Sequence, residues 1–350
     1  MANKIRLAQG AGGELMDDLI KDKILKYFPK DETSEIPLSM LDDASVIDDI
    51  VFSTDSHTVT PIIYPGGDLG KLSVAGTVND ISVMGAKPVA LSAGFIIEEG
   101  LSIEVFDYIV KSMGNCAKNA DVPIITGDTK VVEKGAIQEF MINTSGIGRR
   151  TNLLDENIVE VKRYRDFNSR WLVDSNLKPG DKIILSGNIG EHGIALMSYR
   201  EGYGFDTEIK SDVAPINGLM QDALKIGGLV SAKDPTRGGL SNTVNEFSEK
   251  SKVGILINED FIPIPTGVRS ACDMLGIDPL EIGNEGKVVI GVVKEKADEV
   301  LSVIRKHPLG KNAAIIGEAT NNVNGVVLET MVGGKRNLHK PIGDPVPRIC

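Results

Sequence analysis

Apolar residues fall into two rhythms along this chain, one of period near 3.6 and one near 2, and the two alternate. Between Glu14 and Phe28, Leu15, Leu19, Leu25 and Phe28 recur at helical spacing behind Gly10, Gly12 and Gly13. Val51-Phe52-Ser53-Thr54-Asp55 is a short strand-like run that stops at a carboxylate. The pattern then predicts a helix over 72–84, a strand over 89–97, a helix over 103–120, and strands over 122–125 and 136–148. From Arg150 to Leu177 the chain turns charged and polar, and Asn176-Leu177-Lys178-Pro179-Gly180 closes the stretch like a domain boundary. Beyond it the pattern predicts strands over 182–186, 254–257, 288–292, 313–316 and 323–328. Helices are predicted over 214–226, 241–251, 266–275 and 297–306. Helix–strand alternation thus runs through twice, which predicts two α/β layers. The expected division is a first domain at 1–150, a linker or insertion at 151–177, a second domain at 178–335 and a tail at 336–350. In that tail Gly343, Pro345 and Pro347 disfavour helix and predict a movable arm.

Composition narrows the function. The 350 residues are 41% hydrophobic and 25% charged, ordinary values for a chain that buries a large core. Aromatics make up only 5% and the net charge is −11, with no basic block, so no nucleic-acid partner is expected. No apolar run approaches the ~20 residues of a membrane span, and the N-terminal residues lack the apolar core of a signal peptide. The 3 cysteines, Cys116, Cys272 and Cys350, are far apart, which fits the reducing cytoplasm. With 4 scattered histidines, any metal is expected on oxygen.

The chemistry-bearing residues are mostly acids. Asp43, in Asp42-Asp43-Ala44, and Asp55 stand at the edges of apolar runs, where carboxylates hold hard cations or simply face water. Asn79 and Asp80 are poor helix formers within an apolar helix that contains Val74, Val78, Ile81 and Val83. A partly buried carboxylate there needs a partner, and a cation serves. Gly127-Asp128-Thr129-Lys130, with Lys134 just beyond, reads as a strand-end loop, the usual place for a site in an α/β sheet. Gly66–Ser73 fails as a phosphate loop, because Pro65 replaces the first glycine and Leu72 follows the lysine. Gly12 and Gly13 read as a plain tight turn, and Gly187–Gly193 divides evenly between packing and phosphate contact. Asp234-Pro235-Thr236-Arg237-Gly238-Gly239 makes a capped, cationic helix start, and Glu285 lies among glycines before a strand. The chain closes on Pro347-Arg348-Ile349-Cys350.

Taken together, these motifs resemble the HypE family of hydrogenase maturation proteins. That family lies within the ATP-binding superfamily of aminoimidazole ribonucleotide synthetase and selenophosphate synthetase. The carrying residues are Asp42-Asp43-Ala44, Thr77-Val78-Asn79-Asp80 with Met84-Gly85-Ala86, Gly127-Asp128-Thr129-Lys130, Asp234 to Gly239, Asn284-Glu285-Gly286-Lys287 and the closing tetrapeptide. The resemblance runs nearly end to end and implies a mixed α/β (α+β) fold of two domains with a flexible tail. It also implies a cytoplasmic homodimer joined through the N-terminal domains. A HypF-like partner is expected to place a carbamoyl group on Cys350. ATP then dehydrates the S-carboxamide to a thiocyanate, and a HypC–HypD-like complex takes the cyanide for hydrogenase iron. On this reading Asp43, Asp55, Asp80 and Asp128 are the Mg²⁺ residues, and Asn79, Thr129, Lys130 and Arg237 orient the nucleotide. Lys134 and Glu285 handle protons at the carboxamide on Cys350. Gln9 departs from the histidine usual in the family opening, and 154–175 is extra length with no catalytic role expected. The alternatives are a synthetase of the same superfamily acting on a free small molecule, and a non-catalytic scaffold that docks through its thiol.

Overall fold

The computed structural model describes residues 4–201, 209–343, 346 and 348–350, so Pro345 and Pro347 lie outside the described residues. The N-terminal half contains α1 (Gly13–Leu19), β1 (Ser45–Ile47), β2 (Ile50–His57), β3 (Ile63–Tyr64), β4 (Gly67–Asp68), α2 (Leu69–Val83), β5 (Lys87–Glu98), α3 (Ile103–Ala120), β6 (Ile124–Val132) and β7 (Phe140–Arg149). α4 (Asn152–Val161) follows. The second half holds β8 (Lys182–Leu185), α5 (Glu191–Glu201), α6 (Asn217–Ile226), β9 (Leu229–Lys233), α7 (Gly239–Ser251), β10 (Gly254–Asn258), α8 (Thr266–Leu275), β11 (Val289–Val292), α9 (Ala297–Lys306), β12 (Ala314–Thr320), β13 (Val326–Glu329) and β14 (Lys335–Asn337).

Each half is built on one large sheet, and β3 and β4 form a separate pair in the first half. The first large sheet runs β1-β2-β7-β5-β6 and the second β14-β13-β10-β12-β8-β11-β9. Among the described residues only β5–β6 and β10–β13 pair in parallel, so the layers are mixed sheets rather than wound parallel ones. α2 lies against the first sheet and is buried nearly all round, which is why its apolar positions show no single stripe. Asp68 caps it, accepting from the Lys71 backbone N–H at 2.9 Å. Along β2 the period of two buries Val51, Ser53 and His57, with Asp55 on the same side and half-buried. That alternation carries Asp55 toward α2.

Two expectations change here. Residues 126–130 are not a loop but the body of β6, the outer strand of its sheet. Gly127 allows this, because a Cβ there would sit 2.2 Å from the Ala93 carbonyl oxygen on β5. The polar Asp128-Thr129-Lys130 run looked like a strand end because an outer strand needs no apolar face at every second position.

The stretch 151–177 is not spare length either. Trp171 is 1% exposed, and with Leu154, Phe167, Leu172 and Leu177 it enters an apolar core shared by residues of both halves. Arg170 pairs with Glu35 at 2.6 Å and Asp49 at 2.5 Å, tying the segment to the first half. The segment is a brace between the two domains.

Candidate active site

Asp43, Asp55, Asp80, Asp234 and Glu285 come from five separate segments and line one cleft of about 460 Å³. Asp80, on α2, accepts from the Ser53 hydroxyl at 2.6 Å. Asp55 stands 3.5 Å from His57 and 3.8 Å from Arg237. Gly76 leaves room for that pair, because a Cβ there would lie 2.8 Å from the His57 ring. Asp43 is held by Lys233 at 2.6 Å, and Thr236 donates to Asp234 at 2.7 Å. Lys233 also reaches Glu246 at 3.1 Å and Asp174 at 3.3 Å, while Lys250 reaches Asp174 at 2.6 Å. Asp174 belongs to the brace, so the ion network floors the cleft and locks the domains in one step.

These acids outnumber the cations facing them, and their protonation shows it. Burial pushes the carboxyls of Asp43, Asp80, Asp234 and Glu285 above the ordinary range; Asp43, Asp80 and Glu285 are raised furthest, and their neighbouring acids add to the rise. Burial works the same way on Asp55, but His57 and Arg237 overcome it and hold Asp55 below the usual value. Glu285 Oε1 and Asn242 Oδ1 are buried without a hydrogen-bond partner. A surplus of oxygen donors with orphaned oxygens suits a hard divalent cation. Among the described residues, however, no three such side chains converge into a ready-made coordination set. The arrangement fits an ion that arrives with further oxygen ligands of its own, as phosphate-bound Mg²⁺ does.

Arg237 forms the wall between this cleft and a second cavity of about 190 Å³, which Cys350, Ile349, Thr58 and Gly10 also line. Its charge is stabilised first by the negative charge at Cys350, against burial, and then by Asp55, Glu285 and Asp80. The tail expected to be a movable arm is therefore seated in this structure. Ile349 is 2% exposed, and the Thr58 backbone N–H donates to the Cys350 main-chain oxygen at 3.1 Å.

Other expected site residues lie elsewhere. Asn79 does not face the cleft; its Nδ2 donates to the carbonyls of Ala214 and Glu285 at 3.2 Å each, and its Oδ1 accepts from the Ile216 N–H at 2.9 Å. It clamps α2 to the second domain. Asp128 and Lys130, with side chains 73% and 68% exposed, pair with each other at 3.8 Å on β6. Thr129 and Lys134 are exposed on the same edge, and none of these four residues lines the cleft.

Sequence reasoning missed Lys233, Glu246, Lys250 and Lys340, all of which line the cleft. Lys233 ends a fully buried strand, and a lysine closing an apolar run of that kind was the available signal. It took Gly12 and Gly13 for a plain tight turn, whereas they sit on the cleft wall. A Cβ on Gly12 would lie 2.9 Å from Arg237, and one on Gly13 would lie 2.2 Å from the Pro341 carbonyl.

Fold and cleft together define the AIR synthase related proteins. The family's N-terminal domain model matches residues 41–150 and its C-terminal domain model matches 178–328. Within that class the chain belongs to the HypE family. It is 40% identical over 352 residues to the carbamoyl dehydratase HypE of Escherichia coli K12, covering 99% of this chain and 100% of that one. Among solved structures it is similar to a HypE–HypF complex, with TM-score 0.82 and 43% identity over 92% of this chain and 99% of that one. It is also similar to a HypE bound to ATP, with TM-score 0.78 and 38% identity over 99% and 100% of the two chains. Among the described residues no helix is long and apolar enough to cross a membrane.

Proposed function

We propose that this chain uses ATP to dehydrate a carboxamide carried on the Cys350 sulfur, yielding the S-cyanide that supplies a cyanide ligand to [NiFe] hydrogenase iron. The observation that carries this reading is the seating of Cys350 against Arg237, the residue that also walls the acid-lined cleft. Substrate and nucleotide then meet across one guanidinium, and tethering replaces a substrate-binding step.

Amide oxygen leaves poorly, and phosphorylation cures that. The carbamoyl oxygen attacks the γ-phosphorus, ADP departs with the electron pair of the broken P–O bond, and one N–H proton is lost. Breaking the C–O bond to the new phosphate, with loss of the second N–H proton, leaves S–C≡N and free phosphate. Arg237 holds charge on the transferring phosphoryl group in this reading, and its position on the cleft wall supports that role. Glu285 is the group for the amide protons, since a carboxyl raised above the ordinary range is a stronger base once ionised. Asp43, Asp55, Asp80 and Asp234 would hold Mg²⁺, which supplies charge neutralisation to the phosphates.

A homodimer along the outer edge of β6, where Ile125 and Val131 are exposed, gives Asp128, Thr129, Lys130 and Lys134 a cleft to serve, that of the second copy. A HypF-like carbamoyltransferase loads the sulfur and a HypC–HypD-like iron complex unloads it, all in the cytoplasm.

The direct test is intact mass. After incubation with HypF, carbamoyl phosphate and ATP, Cys350 should gain one carboxamide and then lose the mass of one water. A stable carboxamide that never loses water in the presence of ATP and Mg²⁺ would sink the proposal.

A second expectation follows from the raised carboxyls. A metal-bound carboxylate must give up its proton, so binding of Mg²⁺ with ATP should release protons, and affinity should fall as pH drops. Titration calorimetry in two buffers of different ionisation heat measures this. Net proton uptake would place the ion elsewhere.

A further inference from the structure

The seat that holds the tail is more specific than the tail's reach requires. Three consecutive main-chain oxygens are each engaged. The Cys350 main-chain oxygen accepts from the Thr58 N–H at 3.1 Å and from the Thr58 hydroxyl at 3.3 Å. The Arg348 carbonyl accepts from the Thr60 N–H at 3.3 Å and from Arg200 at 3.2 Å. Between them, the Ile349 carbonyl lies 2.8 Å from His192 Nε2.

His192 is fully buried on α5, and its environment fixes its tautomer. The Ile349 carbonyl can only accept, so Nε2 carries the proton. Nδ1 lies 2.7 Å from the Ser211 hydroxyl, which itself accepts from the Val213 N–H at 3.1 Å. The hydroxyl proton therefore points at Nδ1, and a directed chain runs from Val213 through Ser211 and His192 to residue 349. Burial holds the imidazole neutral against the pull of Asp212, which suits this chain. Tyr64 packs edge-on against the ring at 5.6 Å and stops it turning.

The Ile349 side chain is gauged as well. A Cβ on Gly283 would lie 2.2 Å from Ile349 Cδ1, so the absent side chain at 283 is the space that Ile349 fills.

We infer that His192 is a positioning residue which, with the space at Gly283, reads residue 349 of the tail and thereby sets Cys350 in the cavity that Arg237 walls. No proton moves through His192; it fixes where the sulfur stops. The seating itself rests only on these contacts, whereas its effect on turnover rests on the function proposed above.

The test uses the full chain and two readouts. The first is the rate at which iodoacetamide alkylates Cys350, followed by intact mass. Background from the other thiols is low, because burial pushes Cys116 and Cys272 each up to about 11. The second is single-turnover loss of water from the carbamoylated chain with ATP, alongside the Kd for ATP. His192→Leu and Ile349→Ala should speed alkylation about tenfold or more, the factor carried by one lost buried hydrogen bond or apolar anchor. Turnover should slow by a similar factor with ATP affinity unchanged. His192→Gln, which keeps a donor, should recover most of both.

Alkylation and turnover within twofold of the parent chain in Ile349→Ala would overturn the inference, and that variant leaves the folded body untouched. So would a His192→Gln chain as impaired as His192→Leu, because a merely structural imidazole gives that result. Faster alkylation in a set of chains none of which ever loses water would uphold the seat and reject the proposed function.

Discussion

A chain with Cys350→Ala binds ATP as tightly as the parent and never accumulates protein-bound cyanide. The expected loss is complete rather than graded, because the variant lacks the atom that carries the substrate. Neither remaining cysteine can stand in. Cys116 lies on the buried face of α3 and Cys272 on that of α8, with thiols pushed up to about 11. ATP affinity survives because the cleft acids and Lys233 come from other segments, and Arg237 keeps its contact with Asp55. Equilibrium binding of ATP and intact mass after carbamoylation check the two halves. Persistent turnover in a chain lacking residues 348–350 would point instead to a synthetase acting on a free small molecule. Absence of any ATP hydrolysis by the carbamoylated parent would point to a scaffold.

The second large effect concerns Lys134. Exposed on the turn after β6 and absent from its own chain's cleft, it is expected to act on another copy. Lys134→Ala should slow dehydration by about 100-fold or more, the scale for losing one preorganised cation or proton donor at a developing charge. Subunit mixing separates the possibilities. Neither Lys134→Ala nor Cys350→Ala homodimers should form cyanide at the parent rate. A mixed dimer recovers it only if Lys134 of the Cys350→Ala copy serves the intact sulfur of the other. Failure of the mixture to regain activity would confine Lys134 to its own subunit or remove it from the reaction.

Much of this was legible in the residues, for reasons that also explain the misses. α3, α8 and α9 begin and end where periodicity places them, because each is a surface helix with one apolar stripe. β9 went unseen, since a five-residue strand buried throughout shows no alternation. Asp43, Asp55, Asp80 and Arg237 were found because each breaks an apolar or glycine-rich stretch, and the fold brings them to one cleft. Asn79 breaks the same stretch for a different reason, since an amide that clamps two domains is as conspicuous in sequence as one that binds phosphate. Trp171 and Asp174 were passed over because their partners, Glu35 for one and Lys233 and Lys250 for the other, are distant in sequence. Sequence spacing carries no information about such contacts.

The docked position of residues 348–350 imposes a timetable on the carrier. Seated in the cavity that Arg237 walls, Cys350 is half-buried rather than presented on a free arm, so loading by a donor protein competes with docking in the same subunit. If the docked state holds about 99% of molecules, a donor meets an available sulfur in about one encounter per hundred, and its apparent affinity weakens by that factor. Whatever loosens the tail between turnovers therefore governs how fast cyanide leaves the pathway, however quick the chemistry in the cleft.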